Sequence, residues 1–496
     1  MLASDAQDAR PPQVVAPRRG EARAAELPAI LAGIRPRMRW RELALLAIVA
    51  ITLTVGSLSL GATLRARDAE KGAGIPDGSF VPQAATLLAI YVGTLFAAHV
   101  ALVVAGRRSD QILLPAVGLL GGISLLLMER LPQDLAGQLG GLAQTQLVWL
   151  VLAVGVIAVA AVVVRSDAWL RLYKYTWAAA GIALLLLTFI FGRDVGGARL
   201  TIDLGPVSGQ PSELLKVILV VFLAGYLSEN RALLVEQSTR LGPLHLPPFP
   251  YLAPMAAMWA IALGIVVIQR DLGAALLFFA VFLLLLYVTT ARASYVAIGL
   301  VLFVAGSALM YRLFGHVQQR VDIWLNPFAD PSGAGYQVVQ ALYAFARGGI
   351  LGTGLGNGLP TIAGRLPIPE IHTDFPFAAL GEELGLIGIM AILGLYLVVI
   401  VRGLRIAASA ADDFRALLAA GLSLVVGVQA FIIAAGNLKL IPLTGITLPF
   451  ISYGGSSLLA NAVVIGLLLA LSDRGVEPPP PRGRRRLARL FDRGAA

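Results

Sequence analysis

The chain of 496 residues contains no cysteine. Neither a disulfide nor a thiolate metal site can form. Only four histidines occur, His99, His245, His316 and His372, and none stands at ligand spacing from another. That disfavours a histidine-rich zinc site. Charge is scarce too: 14% of residues are Asp, Glu, Lys or Arg, where a soluble domain carries about 25%. So few charges cannot clothe a water-facing surface. No internal repeat stands out, which weighs against transporter folds built from two related halves.

What is present is apolar, at 57% of the chain. Runs lie near 42–62, 83–105, 111–128, 146–164, 174–192, 212–227, 251–268, 272–290, 294–314, 376–403, 414–435 and 446–472. Each approaches the ~20 residues that span hydrocarbon. The fold class is therefore all-α, a polytopic transmembrane helical bundle of about 12 spans. The runs 251–268 and 272–290 are separated only by Gln269-Arg270-Asp271. Together they are too long for one span, so a tight reversal is expected there.

The formal charge is +10. In a soluble protein that would suggest nucleic acid; here basic loops orient helices and touch anionic headgroups. No nucleic-acid partner is expected, and membrane lipid is. Residues 1–41 hold eight arginines and read as a basic disordered tail, without the pattern of a cleavable signal. Residues 473–496 hold seven arginines and form a second basic tail. An even span count puts both tails on one side. Placing them in the cytoplasm keeps most of the 39 Lys and Arg inside. The segments 193–211, 269–271 and the long loop 315–375 then lie on the outer side of the membrane.

Ionisable groups at membrane depth are costly and usually functional. Pro211 suits a first helical turn and Glu213 its positive end. Lys216, three residues on, shares that face; the pair is either a well-made helix start or part of a site. Arg270-Asp271 reads either as a charged turn or as a ligand or cation site at the outer mouth. The loop 315–375 is long for a connector. Within it, 336–347 reads as a short amphipathic helix at the membrane surface. The glycines between 348 and 358 fit no phosphate-loop spacing, so tight turns and close backbone packing are expected. Asp374 precedes a helix start, whose dipole would keep it ionised. A positioned carboxylate is what general-base catalysis needs; a plain helix cap is the other reading.

Five motifs occur in order: Gln210-Pro211-Ser212-Glu213-x-x-Lys216, Asp271-Leu272-Gly273, Pro369-x-x-His372-Thr373-Asp374-Phe375, Glu382-Glu383-Leu384-Gly385 and Pro449-Phe450-Ile451-Ser452-Tyr453-Gly454-Gly455-Ser456-Ser457. Together they resemble the shape, elongation, division and sporulation family over roughly 193–472. On that reading 42–192 supplies N-terminal transmembrane helices and 193–472 a catalytic core. The resemblance implies a peptidoglycan glycosyltransferase acting in elongation or division. Its substrate is lipid II and its leaving group undecaprenyl pyrophosphate, displaced with inversion. It implies Asp374 as the base, with Glu213, Lys216, Asp271, His372, Arg270 and Ser452 in support. A divalent cation, Mg or Mn, would sit on Asp374 and Asp271. The implied partner is a class B penicillin-binding protein, a transpeptidase. Three features depart from the family pattern: Leu200-Thr201 stand where members often have Arg-Trp, with Arg199 one residue early; many members have ten spans; and Lys439 stands where the pattern carries less charge. The alternatives are a lipid II flippase or a scaffold. The outer clustering of the marked carboxylates favours chemistry after translocation.

Overall fold

The computed structural model describes residues 36–70, 80–132, 135, 140–195, 198–203, 208–236, 239–241, 244–246, 260, 264, 271–358 and 367–473. Eleven of the twelve apolar runs contain a spanning or near-spanning helix: α1 Trp40–Glu70, α2 Phe80–Val104, α3 Leu113–Arg130, α4 Leu142–Val163, α5 Lys174–Phe191, α6 Pro211–Glu236, α7 Leu272–Thr290, α8 Ala293–Leu313, then, after the loop helices, Pro376–Ala408, Asp413–Asn437 and Gly455–Leu471. Ten are long and apolar enough to cross a membrane, and Gly455–Leu471 is shorter. The run 251–268, Arg270 and most of the proposed reversal lie outside the described residues.

Short antiparallel strands mark two connections. β1 Arg193–Val195 pairs with β2 Ala198–Asp203, which pairs with β3 Ser208–Gly209; β4 Thr239–Leu241 pairs with β5 Leu244–Leu246. They add little to a bundle that is otherwise helical.

The loop 315–375 is folded. It forms α9 Gly315–Leu325, a 3-10 turn at Pro327–Ala329 and α10 Tyr336–Gly348. The remaining helices are then α11 Pro376–Ala408, α12 Asp413–Asn437 and α13 Gly455–Leu471. The amphipathic reading of 336–347 holds, but its apolar face has a different partner. Val338, Val339, Ala341 and Ala344 are buried in protein, and Phe345 sits 6.0 Å from Phe377 of α11, ring to ring. The helix packs this face onto the bundle.

Helices in lipid gain little from apolar burial against each other, so close packing and polar bonds must hold them. α13 lies against α4, α11 against α12, and α6 against α5 and α12. At one crossing a Cβ on Gly122 of α3 would stand 2.2 Å from Leu53 of α1. Only the absence of that atom lets the two helices approach. α3 is central, 83% of its apolar window being buried, whereas α8 is peripheral at 11%. On α8, Val301, Leu302 and Val304 stay exposed, as lipid-facing residues do.

The glycine run behaves as backbone packing. Thr353 N–H donates to Glu382 O and Gly354 N–H to Glu383 O, each at 3.0 Å, while Leu386 N–H reaches Gly349 O at 2.9 Å. α11 breaks its helical geometry at Gly385, φ +65°, to accept this strand-like lacing. A Cβ on Gly352, φ +83°, would meet Glu383 O at 2.1 Å.

Candidate active site

Lys216 is buried in α6 and its ammonium is saturated. Nζ donates to Glu213 at 2.6 Å, Gln429 at 2.8 Å and Asn461 at 3.0 Å. Those partners come from α6, α12 and α13. A lysine has three N–H donors, so none remains for a substrate phosphate. Thr447 Oγ1 extends the network, donating to Glu213 at 3.4 Å and pairing with Ser457 Oγ at 2.5 Å. The pairing of Lys216 with Glu213 expected from their spacing is present, and the lysine joins three helices.

Asp271 is the N-cap of α7. Oδ1 accepts from Ala274 N–H at 3.0 Å, and Oδ2 from Ser212 at 3.0 Å and Gln210 at 3.2 Å. Both oxygens are occupied and the residue is buried. It does not fit the outward-pointing cation ligand foreseen from sequence. Among the described residues no three His, Asp or Glu side chains converge as metal ligands. What Asp271 does is tie the start of α6 to the start of α7.

The segment 447–453 is a clamp. Ser452 Oγ donates to Thr373 O at 2.6 Å and accepts from Leu448 N–H at 2.8 Å. Tyr453 N–H donates to His372 O at 2.8 Å. The clamp is itself held by Ser124 Oγ on Ile451 O, 2.6 Å, and Tyr396 Oη on Pro449 O, 2.5 Å. Ser452 thus acts through the loop it grips. His372 Nδ1 is buried without a hydrogen-bond partner, and burial holds its imidazole below the ordinary histidine range, against the pull of Glu370. A neutral ring results.

Asp374 differs from all of these. Its backbone is fixed: N–H donates to Glu370 O, and its carbonyl accepts from Asn437 Nδ2, both at 2.9 Å. Its carboxyl makes no ion pair with the described residues. Asp374 precedes a helix start as expected, but Phe375 is the N-cap of α11 and no side chain caps that helix, so the plain-cap reading fails. Desolvation raises the Asp374 pKa to about 6; the Glu370 charge adds to this, while Thr373 and Arg320 oppose it.

That carboxyl lines a cavity of about 220 Å³ with Arg320, Trp324, Gln337, Lys439 and Gly445. The cavity lies between α9 and α10 on one side and the turn after α12 on the other. α9 is moored there: Arg320 Nη1 donates to Thr444 O at 3.0 Å and Leu443 O at 3.2 Å, and Trp324 Nε1 to Lys439 O at 3.1 Å. Lys439 takes a left-handed φ of +59°. Two cations line the cavity: Arg320, whose charge acts on Asp374, and Lys439, whose Nζ donates to Leu325 O at 3.4 Å. Glu213, Lys216 and Asp271 do not line this cavity, contrary to the facing arrangement drawn from motif order. Arg320 and Trp324 sit on an amphipathic stretch of the loop, and Lys439 was a departure from the family pattern; that oddity was the available signal.

Fold and site together define a class: a polytopic helical bundle with a carboxylate, free of ion pairs among the described residues, in a cation-lined cavity at one end. Residues 110–475 match the FtsW, RodA and SpoVE family, described as cell cycle protein. Over 398 residues the chain is 42% identical to a Mycobacterium tuberculosis protein named peptidoglycan glycosyltransferase RodA, spanning 79% of this chain and 84% of that one. It is 34% identical over 320 residues to a probable peptidoglycan glycosyltransferase FtsW of Thiomicrospira cyclica, covering 64% and 79%. Among solved structures, it is similar to a chain from "Structural coordination of polymerization and crosslinking by a peptidoglycan synthase complex", with TM-score 0.58, 26% identity, and 75% and 99% of the two chains covered. The rod shape determining protein RodA of Thermus thermophilus shares the fold at TM-score 0.50 and 24% identity, covering 74% and 97%. The chain belongs to the shape, elongation, division and sporulation family, whose members include RodA and FtsW.

Proposed function

We propose that the chain polymerises lipid II, with Asp374 as the general base of an inverting glycosyl transfer. The enzyme class itself, a peptidoglycan glycosyltransferase, follows from the curated relatives and the breadth of their match. The observation that carries the mechanism is the cavity in which a carboxyl with a pKa of about 6 meets Arg320 and Lys439. A base works best when its pKa lies near the operating pH. Asp374 takes the proton from the 4-hydroxyl of the acceptor GlcNAc as that oxygen attacks the anomeric carbon of the donor MurNAc. The bond to undecaprenyl pyrophosphate breaks on the opposite face, and configuration inverts. Arg320 and Lys439 are placed to stabilise the negative charge that gathers on the leaving group. Gln337 and Trp324 offer a polar and a stacking contact to a sugar.

A bound Mg or Mn ion would be held by Asp374, with water and substrate oxygens as its other ligands. It would supply charge neutralisation at the pyrophosphate. The cavity faces the outer side when both tails lie in the cytoplasm, which also agrees with the basic tails. A class B penicillin-binding protein is the proposed partner, in keeping with the complex of polymerisation and crosslinking to which one solved relative belongs. The flippase reading lacks support at mid-bundle, where Lys216, Glu213, Gln429 and Asn461 bond to one another.

The test is purified chain with lipid II in detergent, with and without Mg or Mn and with the partner. Glycan polymer is expected from the native chain and not from Asp374→Asn. Polymer of normal yield from that variant removes Asp374 as the base.

A further inference from the structure

The opposite end of the bundle holds a second, larger cavity. It is about 720 Å³ and is lined by Trp40, Arg41, Arg108, Asp110, Arg402 and Arg405, among others. Four arginines thus meet one aspartate. Asp110 is already committed: Arg402 Nε donates to it at 2.7 Å, and its Oδ1 accepts from Ile112 N–H at 2.8 Å. Arg41, Arg108 and Arg405 make no side-chain ion pair with the described residues. The cavity therefore carries an excess of positive charge.

Its two walls have different origins. Arg41 and Trp40 begin α1, and Arg108 follows α2; all precede residue 110, where the family match starts. Arg402 and Arg405 close α11 within the matched core. The cavity exists only because the N-terminal helix pair is seated on that core. The seat is polar: Arg107 Nη1 donates to Asp473 Oδ2 at 2.8 Å and Arg39 Nη2 to Asp110 O at 2.9 Å, while within the pair Arg39 Nη1 donates to Ser109 O at 3.1 Å and Glu42 lies 2.7 Å from His99 Nδ1.

The position fixes the kind of anion. All four arginines stand at helix ends, at the level where a span leaves the hydrocarbon. Beside them Trp40 is 67% and Met38 56% exposed, an aromatic and an apolar side chain turned outward as at a membrane interface. A site with basic walls and an apolar outer lip accepts a phosphate headgroup whose chains run down the helices.

We propose that this cavity binds the headgroup of an anionic phospholipid from the leaflet at the tail end, joining the N-terminal helix pair to the catalytic core. Arg41, Arg108 and Arg405 contact the phosphate, and Trp40 covers the glycerol region. The claim is independent of the transferase reading, because binding alone reads it.

Full-length chain in detergent is titrated with phosphatidylglycerol and, separately, phosphatidylcholine, and bound lipid is counted by native mass spectrometry. Phosphatidylglycerol is expected to bind selectively and to raise the melting temperature. Arg41→Gln/Arg405→Gln is expected to weaken it on the order of thirtyfold, two surface charges each being worth about a factor of five. Arg65→Gln, a single charge loss away from the cavity, is expected to change nothing. Both cavity arginines are exposed, so folding should persist, as the melting temperature without lipid checks; Arg108→Gln alone is the milder second variant, expected to lose several-fold. Equal binding of the two lipids, or unchanged affinity in both cavity variants, overturns the proposal. Competition by inorganic phosphate as effective as that by the lipid also overturns it, since the site would then serve a free anion.

Discussion

Two constellations of charged motif residues occupy this bundle, and they are built on opposite terms. Around Lys216 every group is spent on another: the ammonium has three acceptors and Glu213 has Lys216 and Thr447. Around Asp374 the backbone is fixed from two sides, yet the carboxyl is left without an ion pair in a cavity bearing Arg320 and Lys439. A satisfied network holds helices together. A carboxyl without an ion pair, in a rigid frame, is ready for a reactant. Motif membership alone does not separate these roles; hydrogen-bond saturation does.

The largest effect that sharpens the contrast is Asp374→Asn. Loss of a general base should cut polymerisation of lipid II by roughly 10²–10⁴, while the melting temperature stays near that of the native chain. Lys216→Met should do the reverse in kind. Removing one partner of a buried pair costs about 3–5 kcal/mol of stability, read as a fall in melting temperature. Glu213→Gln/Lys216→Met should recover part of that loss. If Lys216→Met keeps its melting temperature and loses only activity, the comparison breaks, because Lys216 would then act on substrate.

Gly352→Ala comes next. Its φ of +83° and the 2.1 Å approach to Glu383 O leave no room for a Cβ, and such strain costs on the order of 1–3 kcal/mol. Reduced thermal stability and easier proteolysis of the 348–358 segment are the expected readouts. The smallest effect is on pH. Asp374 must be ionised to accept a proton, and its pKa is about 6. The rate at low substrate should therefore fall as pH drops through 6, by about tenfold between pH 7 and pH 5, since one pKa unit corresponds to about 1.4 kcal/mol. A rate flat across that range would assign the proton to another group.

Much of the fold was legible because lipid imposes a simple rule. Backbone groups in hydrocarbon must bond within their own segment, so long apolar runs become helices. Hence eleven runs contain helices, most of them close to the expected limits, while α1 and α6 run on past theirs to Glu70 and Glu236 and α13 begins later than its run because 447–453 is needed as the clamp. The glycine run was readable as close packing, and Pro211 and Asp271 as helix starts. The site was only half readable. Asp374 and His372 share a motif, and Ser452 reaches them through a bond to Thr373 that spans 79 positions, which no local pattern reports. The apolar face of α10 could equally have met lipid or protein, since both are dry.

By itself, then, the sequence determined that this protein spans a membrane, roughly where most of its helices lie, and which carboxylate stands just before one of them. The tertiary structure alone decided which charged residues are bound to one another and which remain open to substrate. The reason is geometric: Lys216 meets Gln429 and Asn461, and Asp374 meets Arg320 and Lys439, only after helices distant in the chain have packed. Partnership of a buried charge is a property of that packing, and its function follows from whether a partner is there.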